Sequence, residues 1–318
     1  MIMKNSTLFS VLCLMVFPFV GNTQELALYS LDYFDINKKG NFGFVSLSDN
    51  YHLSEHKDSL AMPDISKIKA SDAHYLKLEG KYRKRFLNGT KVSENDVLYA
   101  YDYTKDVLLS FPVKNLDVVA CLSLYVSDEE FPFSQSDYMI GFRINTKDLK
   151  GFSEYYGNNY VYVGKTNPFL KGALKAMAWT KIASKEFPSK AIGSEDGADL
   201  GKYALGDAYK FEANNLVYYL RDLKNSQEVF ARRLLVFDSK SKKILYERIY
   251  QISEGGSLVP LAIAGKPEES SEKQWTGKLL KGRPDVVFGF LYASFGCEGI
   301  SFLKEEVPDV YINCDNRH

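Results

Sequence analysis

The sequence predicts an all-β protein, mostly antiparallel and of barrel, sandwich or propeller-like architecture, with a few short helices. Three observations predict it. Aromatic residues form 14% of the 318-residue chain, with 22 Tyr and 21 Phe, and flat or branched side chains suit a pleated, half-buried surface. Short apolar runs with period-2 stretches recur along the chain, each bounded by polar turn residues. The runs repeat every 10 to 20 residues, roughly the rhythm of a barrel, sandwich or propeller. No internal repeat accompanies them, and the recurring signature of a propeller blade is missing.

The N-terminus stands apart. Lys4 is the only charge before Glu25, an apolar run follows over residues 8–20, and Gly21, Asn22 and Thr23 come next. That order is the one a signal peptide needs. The run is shorter than the roughly 20 residues of a membrane-spanning helix. Cleavage is expected after Thr23, with Gln24 as the new N-terminus. Cys13 sits inside the apolar run without a lipoprotein box before it, so no lipid anchor is expected. Residues 24–318 read as a single β-rich domain, with two lobes dividing near residue 190 as the alternative.

Residues 26–34 and 42–47 are the first strand candidates. Residues 97–103 and 107–113 flank a Thr104-Lys105-Asp106 turn and read as a hairpin. Residues 116–126, 138–144, 159–163 and 178–182 follow. A second hairpin joins residues 231–237 to 243–252 through a polar turn. Residues 286–295 form one strongly apolar run, with Gly289 and Gly296 as bulge or bend positions. Residues 310–313 close the series. Helices are expected at 145–155, 63–70 and 168–177, the last starting at Pro168, where a missing N–H does no harm. Lys81-Tyr82-Arg83-Lys84-Arg85 reads as a solvated strand edge or turn. The polar stretches 186–207 and 265–285 read as long loops or a lobe boundary.

Forty basic residues balance forty acidic ones, which argues against a global attraction to nucleic acid or anionic lipid. After residue 23 three cysteines remain. Cys297 and Cys314 lie in strand ends 17 positions apart, and export would permit their disulfide. Cys121 lies inside an apolar strand and reads as a buried free thiol. No C-x-x-C occurs, so neither a zinc ribbon nor a thioredoxin-type site is supported.

Few motifs carry chemistry. His52, Glu55 and His56 match the inverted zinc-protease pattern H-x-x-E-H, which would hold Zn²⁺ between two histidines one helical turn apart. Their flanks are polar and turn-like, and the plainer reading is an exposed loop. Glu195, Asp196 and Asp199 lie in an acidic, glycine-containing loop that offers oxygens to Ca²⁺ without the EF-hand spacing. Neither metal is required by the sequence. Asp128-Glu129-Glu130 could contribute paired carboxylates to a hydrolase. Cys297 in Phe295-Gly296-Cys297-Glu298-Gly299 could be a nucleophile on a tight turn, with His318 as base, but a disulfide half is the simpler reading.

The polar ending brings Asp315, Arg317 and His318 next to Cys314, so a Cys297–Cys314 bond would gather them around Glu298. That cluster is the favoured binding site. Trp275, on an otherwise polar stretch, is the candidate stacking aromatic. The functional expectation is a secreted or periplasmic, non-catalytic binding module for a glycan, a peptide or an envelope protein. A secreted hydrolase using carboxylates or the histidine metal site is the alternative.

Overall fold

A computed structural model describes residues 26–36, 40–51, 61–153, 156–188, 203–266, 273–294 and 296–314. The expected signal peptide and position 190 lie outside the described residues. Strands hold 47% of the chain and helices 13%, the strand pairing is mostly antiparallel and one sheet is curled into a half-barrel. The all-β expectation therefore holds. Among the described residues no helix is long and apolar enough to cross a membrane.

The first half of the chain contributes β1 (Leu28–Tyr29), β2 (Asp32–Ile36), β3 (Gly40–Ser46), α1 (Ala70–Ala73), β4 (Tyr75–Lys77), α2 (Lys81–Gly89), β5 (Val97–Asp102), β6 (Val107–Pro112), β7 (Asp117–Leu122), β8 (Tyr138–Asn145) and β9 (Asn159–Gly164). The second half contributes β10 (Leu174–Ala176), β11 (Thr180–Ile182), β12 (Ala204–Ala213), β13 (Leu216–Asn225), β14 (Glu228–Asp238), β15 (Ile244–Gln251), β16 (Gly256–Leu258), β17 (Trp275–Gly277), β18 (Val286–Phe288), β19 (Leu291–Ala293), β20 (Gly299–Phe302) and β21 (Val310–Asn313).

Three large sheets result. The widest has nine strands in the order β10-β17-β18-β20-β21-β1-β9-β5-β6, a second runs β2-β3-β8-β7-β4, and a third is the meander β11-β12-β13-β14-β15. A small β16–β19 ladder completes the set. Within the wide sheet, β1 joins β21 in parallel, pairing Leu28 with Ile312.

Side-chain alternation sorts the wide sheet into two faces. Tyr101, Tyr160, Leu28, Ile312, Ile300, Phe302, Val286 and Phe288 come from six of its strands and pack into one cluster. Strands that distant can share a cluster only if the sheet curls around it. The residues between them point the other way. Leu98, Ala100 and Val161 pack on the second sheet and α2, whereas Val287 packs on the meander with Trp179, Tyr218 and Phe290.

Turn chemistry explains the hairpins. The β5–β6 turn is held by Asp102, whose Oδ1 accepts from the backbone N–H groups of Thr104 and Lys105 (2.9 Å each). Its Oδ2 accepts from the Ser153 N–H and hydroxyl (2.6 Å each). Asn214 and Asn215, at φ 52° and 63°, form the two-residue β12–β13 turn in the left-handed region that Asn tolerates.

Several local expectations are corrected. Residues 81–85 belong to α2, because long Lys and Arg side chains form helix readily and Phe86 and Leu87 give the helix a buried face. Arg83 clasps the segment that follows the helix, donating to Glu94 (2.7 and 2.8 Å) and to the Val113 and Leu116 carbonyls. Residues 168–177 form β10 and its approach, since Gly172 sits at φ 69° and β17 offers a partner strand. Within 145–153 the chain makes a 3-10 turn over Thr146–Asp148 and then turns at Gly151, φ 95°, and the helix expected at 63–70 is instead the four-residue α1. Residues 286–295 do not run as one strand. Gly289, at φ 81°, breaks them into β18 and β19, and a Cβ there would meet the Lys273 carbonyl oxygen.

Candidate functional site

Gly289 sends the chain out of the wide sheet, through β19, and back into it at β20. Cys297 lies on the return and is bonded to Cys314, directly after β21, with the two Cα atoms 5.6 Å apart. The expected disulfide is therefore present, and it removes the Cys297 sulfur as a nucleophile. Cys121 is free and buried, and burial pushes its thiol well above the ordinary range.

Two cavities meet at this cross-link. The larger, about 380 Å³, lies between β15 and the β18–β20 region and is lined by Arg248, Tyr250, Ser301, Asp309 and Tyr311 among others. The smaller, about 280 Å³, lies at the end of the curled sheet where β1 gives way to β2 and β9 begins. Tyr292, Ala293, Cys297 and Glu298 line both. Tyr292 and Tyr311 are exposed, at 37% and 66%.

The polar groups of the larger cavity are fixed to one another. Arg248 Nη1 donates to Asp309 Oδ2 at 2.5 Å and to the Ser301 hydroxyl, and its guanidinium lies over the Tyr250 ring. Tyr250 stacks on Phe290 with centroids 4.4 Å apart. In the smaller cavity Tyr103 stacks on Tyr160 at 5.0 Å. Asn159 bridges the backbone of Leu31, accepting from its N–H and donating to its carbonyl (2.9 Å each).

Two buried phenols each meet a neighbouring tyrosine hydroxyl, Tyr250 that of Tyr246 in the larger cavity and Tyr160 that of Tyr103 in the smaller. Burial pushes both well above the usual phenol range. The neighbouring Tyr246 adds to the effect for Tyr250, as do Tyr103 and the Glu298 carboxylate for Tyr160. Both hydroxyls therefore remain protonated at neutral pH.

Of the sequence-derived site residues, Cys297 and Glu298 lie on the shared wall and Cys314 lines the smaller cavity. Trp275 opens β17 and sets its ring edge-on to Tyr103 at 5.4 Å. It lines neither cavity and instead supports a residue that does. Asp128, Glu129 and Glu130 form a separate 3-10 turn, with Asp128 in contact with His74. His52, Glu55, His56, Glu195, Asp196, Asp199, Asp315, Arg317 and His318 lie outside the described residues. Among the described residues no group of three or more His, Cys, Asp or Glu side chains could hold a metal ion.

Arg248, Asp309, Asp32, Tyr160, Tyr292 and Tyr311 were not singled out in the sequence. The cysteine pair is the signal that could have found Tyr292 and Tyr311, because each lies within five positions of one bonded cysteine. No family model, no curated protein and no solved structure matches this chain.

Proposed function

We propose that the protein is a non-catalytic binding module that acts outside the cytoplasm, and that the larger cavity seats a glycan. The observation that carries this reading is the pair of exposed rings, Tyr292 and Tyr311, on the wall of a cavity whose other polar groups are held in fixed positions. A phenol face offers a stacking surface to a sugar ring and a hydroxyl at its edge. Glu298 and Asp309 supply acceptors for sugar hydroxyls. Arg248 is already engaged by Asp309 and Ser301, so it serves as a fixed donor wall. The disulfide and the leader-like N-terminus support the compartment, since disulfides persist where the environment is oxidising.

Titration calorimetry of the chain from Gln24 onwards against a panel of neutral oligosaccharides tests the proposal. One class is expected to bind, and Tyr311→Ala or Tyr292→Ala is expected to weaken it by about tenfold, the worth of one stacked ring. Absence of binding across the panel, or binding that neither variant alters, would overturn the glycan reading.

A further inference from the structure

The guanidinium of Arg248 uses its two edges differently. Nη1 donates to Asp309, to the Ser301 hydroxyl and to the Tyr246 hydroxyl. Nε and Nη2 form the other edge, and among the described residues neither donates to a protein acceptor. The side chain is 38% exposed and lines the larger cavity, so a ligand can reach that edge. It is the edge by which this chain grips its own carboxylates. Arg83 donates through Nε and Nη2 to the two Glu94 oxygens (2.8 and 2.7 Å), and Arg233 through Nε and Nη2 to Glu247 (2.8 and 2.5 Å). Two parallel N–H groups on one side of a planar cation match the two oxygens of a carboxylate. In Arg248 the fork is also held ready. Three acceptors fix Nη1, and the guanidinium lies over the Tyr250 ring, 5.7 Å from its centroid. Tyr250 is itself stacked on Phe290. Donors fixed in this way lose little freedom on binding.

We infer, resting on the glycan reading of this cavity, that its ligand is an acidic sugar whose carboxylate pairs with the Nε and Nη2 edge of Arg248. Tyr292 and Tyr311 would meet the sugar rings and Arg248 the carboxylate. Local geometry, and not overall charge, makes the selection. Among the described residues the charged groups on the lining are Arg248, Asp309 and Glu298, so long-range attraction does not draw an anion in. Asp309 occupies Nη1 and leaves the fork clear. A neutral hydroxyl can also accept from the fork, but a charge-assisted hydrogen bond is roughly twice as strong, and only a carboxylate takes both N–H groups in one plane.

Ligand-observed NMR titration of the chain from Gln24 onwards tests this with three matched probes: methyl β-D-glucuronide, methyl β-D-glucoside and methyl β-D-glucuronamide. The glucuronide is expected to bind about tenfold more tightly than the glucoside, the worth of one charge-assisted contact. The glucuronamide should gain nothing over the glucoside, because its NH₂ group meets a donor. Arg248→Lys keeps the charge and loses the fork, so it should abolish the preference for the glucuronide. Arg248→Gln combined with Asp309→Asn replaces the ion pair by two neutral amides and should do the same, with circular dichroism reporting the fold. Tyr311→Ala should weaken the glucuronide and the glucoside by the same factor and leave their ratio unchanged.

Methyl α-N-acetylneuraminide, whose carboxylate sits on the anomeric carbon, distinguishes a sialic acid from a uronic acid as the source, and tighter binding of either acid than of the glucoside supports the site. Equal affinity for glucuronide, neuraminide and glucoside would overturn the acidic ligand and leave the glycan reading in place. A preference for the acid that survives both Arg248 variants would overturn it too. Binding of none of these probes up to about 50 mM would also overturn it, and the glycan reading would then stand or fall on the neutral oligosaccharides alone.

Discussion

Replacing Cys297 and Cys314 together by serine tests the part played by the cross-link. Their 17-residue separation corresponds to about 3 kcal/mol of unfolded-state restriction by loop-closure entropy. The folded state does not need the bond to hold its shape locally. Gly299 pairs with Tyr311, Ile300 pairs with Val310, and the Ile312 N–H donates to the Glu298 carbonyl at 2.9 Å. The loss should therefore fall on the unfolded chain, with far-UV circular dichroism unchanged. A chain of some 300 residues unfolds with an entropy of about 0.6 kcal/mol/K, so 3 kcal/mol corresponds to a midpoint drop of about 5 °C. Scanning calorimetry of the oxidised protein and the double variant reads that drop directly. A difference below about 1 °C would refute the reasoning and show that the loop is equally confined without the bond. A collapse of the circular dichroism signal would refute it in the other direction.

Three further outcomes are expected. A Cβ at Gly141 would overlap the Val45 carbonyl oxygen across the β3–β8 ladder, so Gly141→Ala should cost roughly 2–3 kcal/mol in urea unfolding, and an unchanged midpoint would contradict that packing. Hydrogen bonding from Arg83 holds the Glu94 carboxyl below its ordinary value of 4.5. Stability from this pair is thus fully present above pH 4.5 and is lost as the pH falls through the folded value. Glu94→Gln should accordingly differ from the parent chain at pH 7 and converge on it in acid. Thiol titration of the chain from Gln24 onwards should find one reactive cysteine in denaturant and none in the folded state, because Cys121 is buried and its thiol is held protonated.

The sequence was legible where a residue's own chemistry sets the backbone. Gly289 and Gly296 were marked as bends and sit at φ 81° and 107°. The β5–β6 and β14–β15 hairpins were found through their polar turns, and the disulfide through cysteine spacing. β13 was hidden for a physical reason. Arg221 and Asp222 lie mid-strand and are buried, an apparent contradiction in a strand core. The contradiction is resolved only by distant partners: Ser184 and the Gly206 carbonyl for Arg221, and Arg232 for Asp222. α2 was hidden because its arginines look solvated until the Val113 and Leu116 carbonyls are brought beside Arg83. The candidate site was legible around Cys297 and Glu298. Its remaining walls come from the β1–β2 junction, β9 and β15, segments remote in sequence that only the packing of two sheets brings together.

The strand order of the wide sheet has a consequence for assembly. β1 is two residues long and lies between β9 and β21, so the middle of the wide sheet is stitched from segments remote in sequence. Asn313 Nδ2 donates to the Leu28 carbonyl across 285 positions. Contacts that remote in sequence are slow to form. A chain emerging N-terminus first would hold Leu28 unpaired on one side until Ile312 had been released, and both cavities would be absent until that late closure.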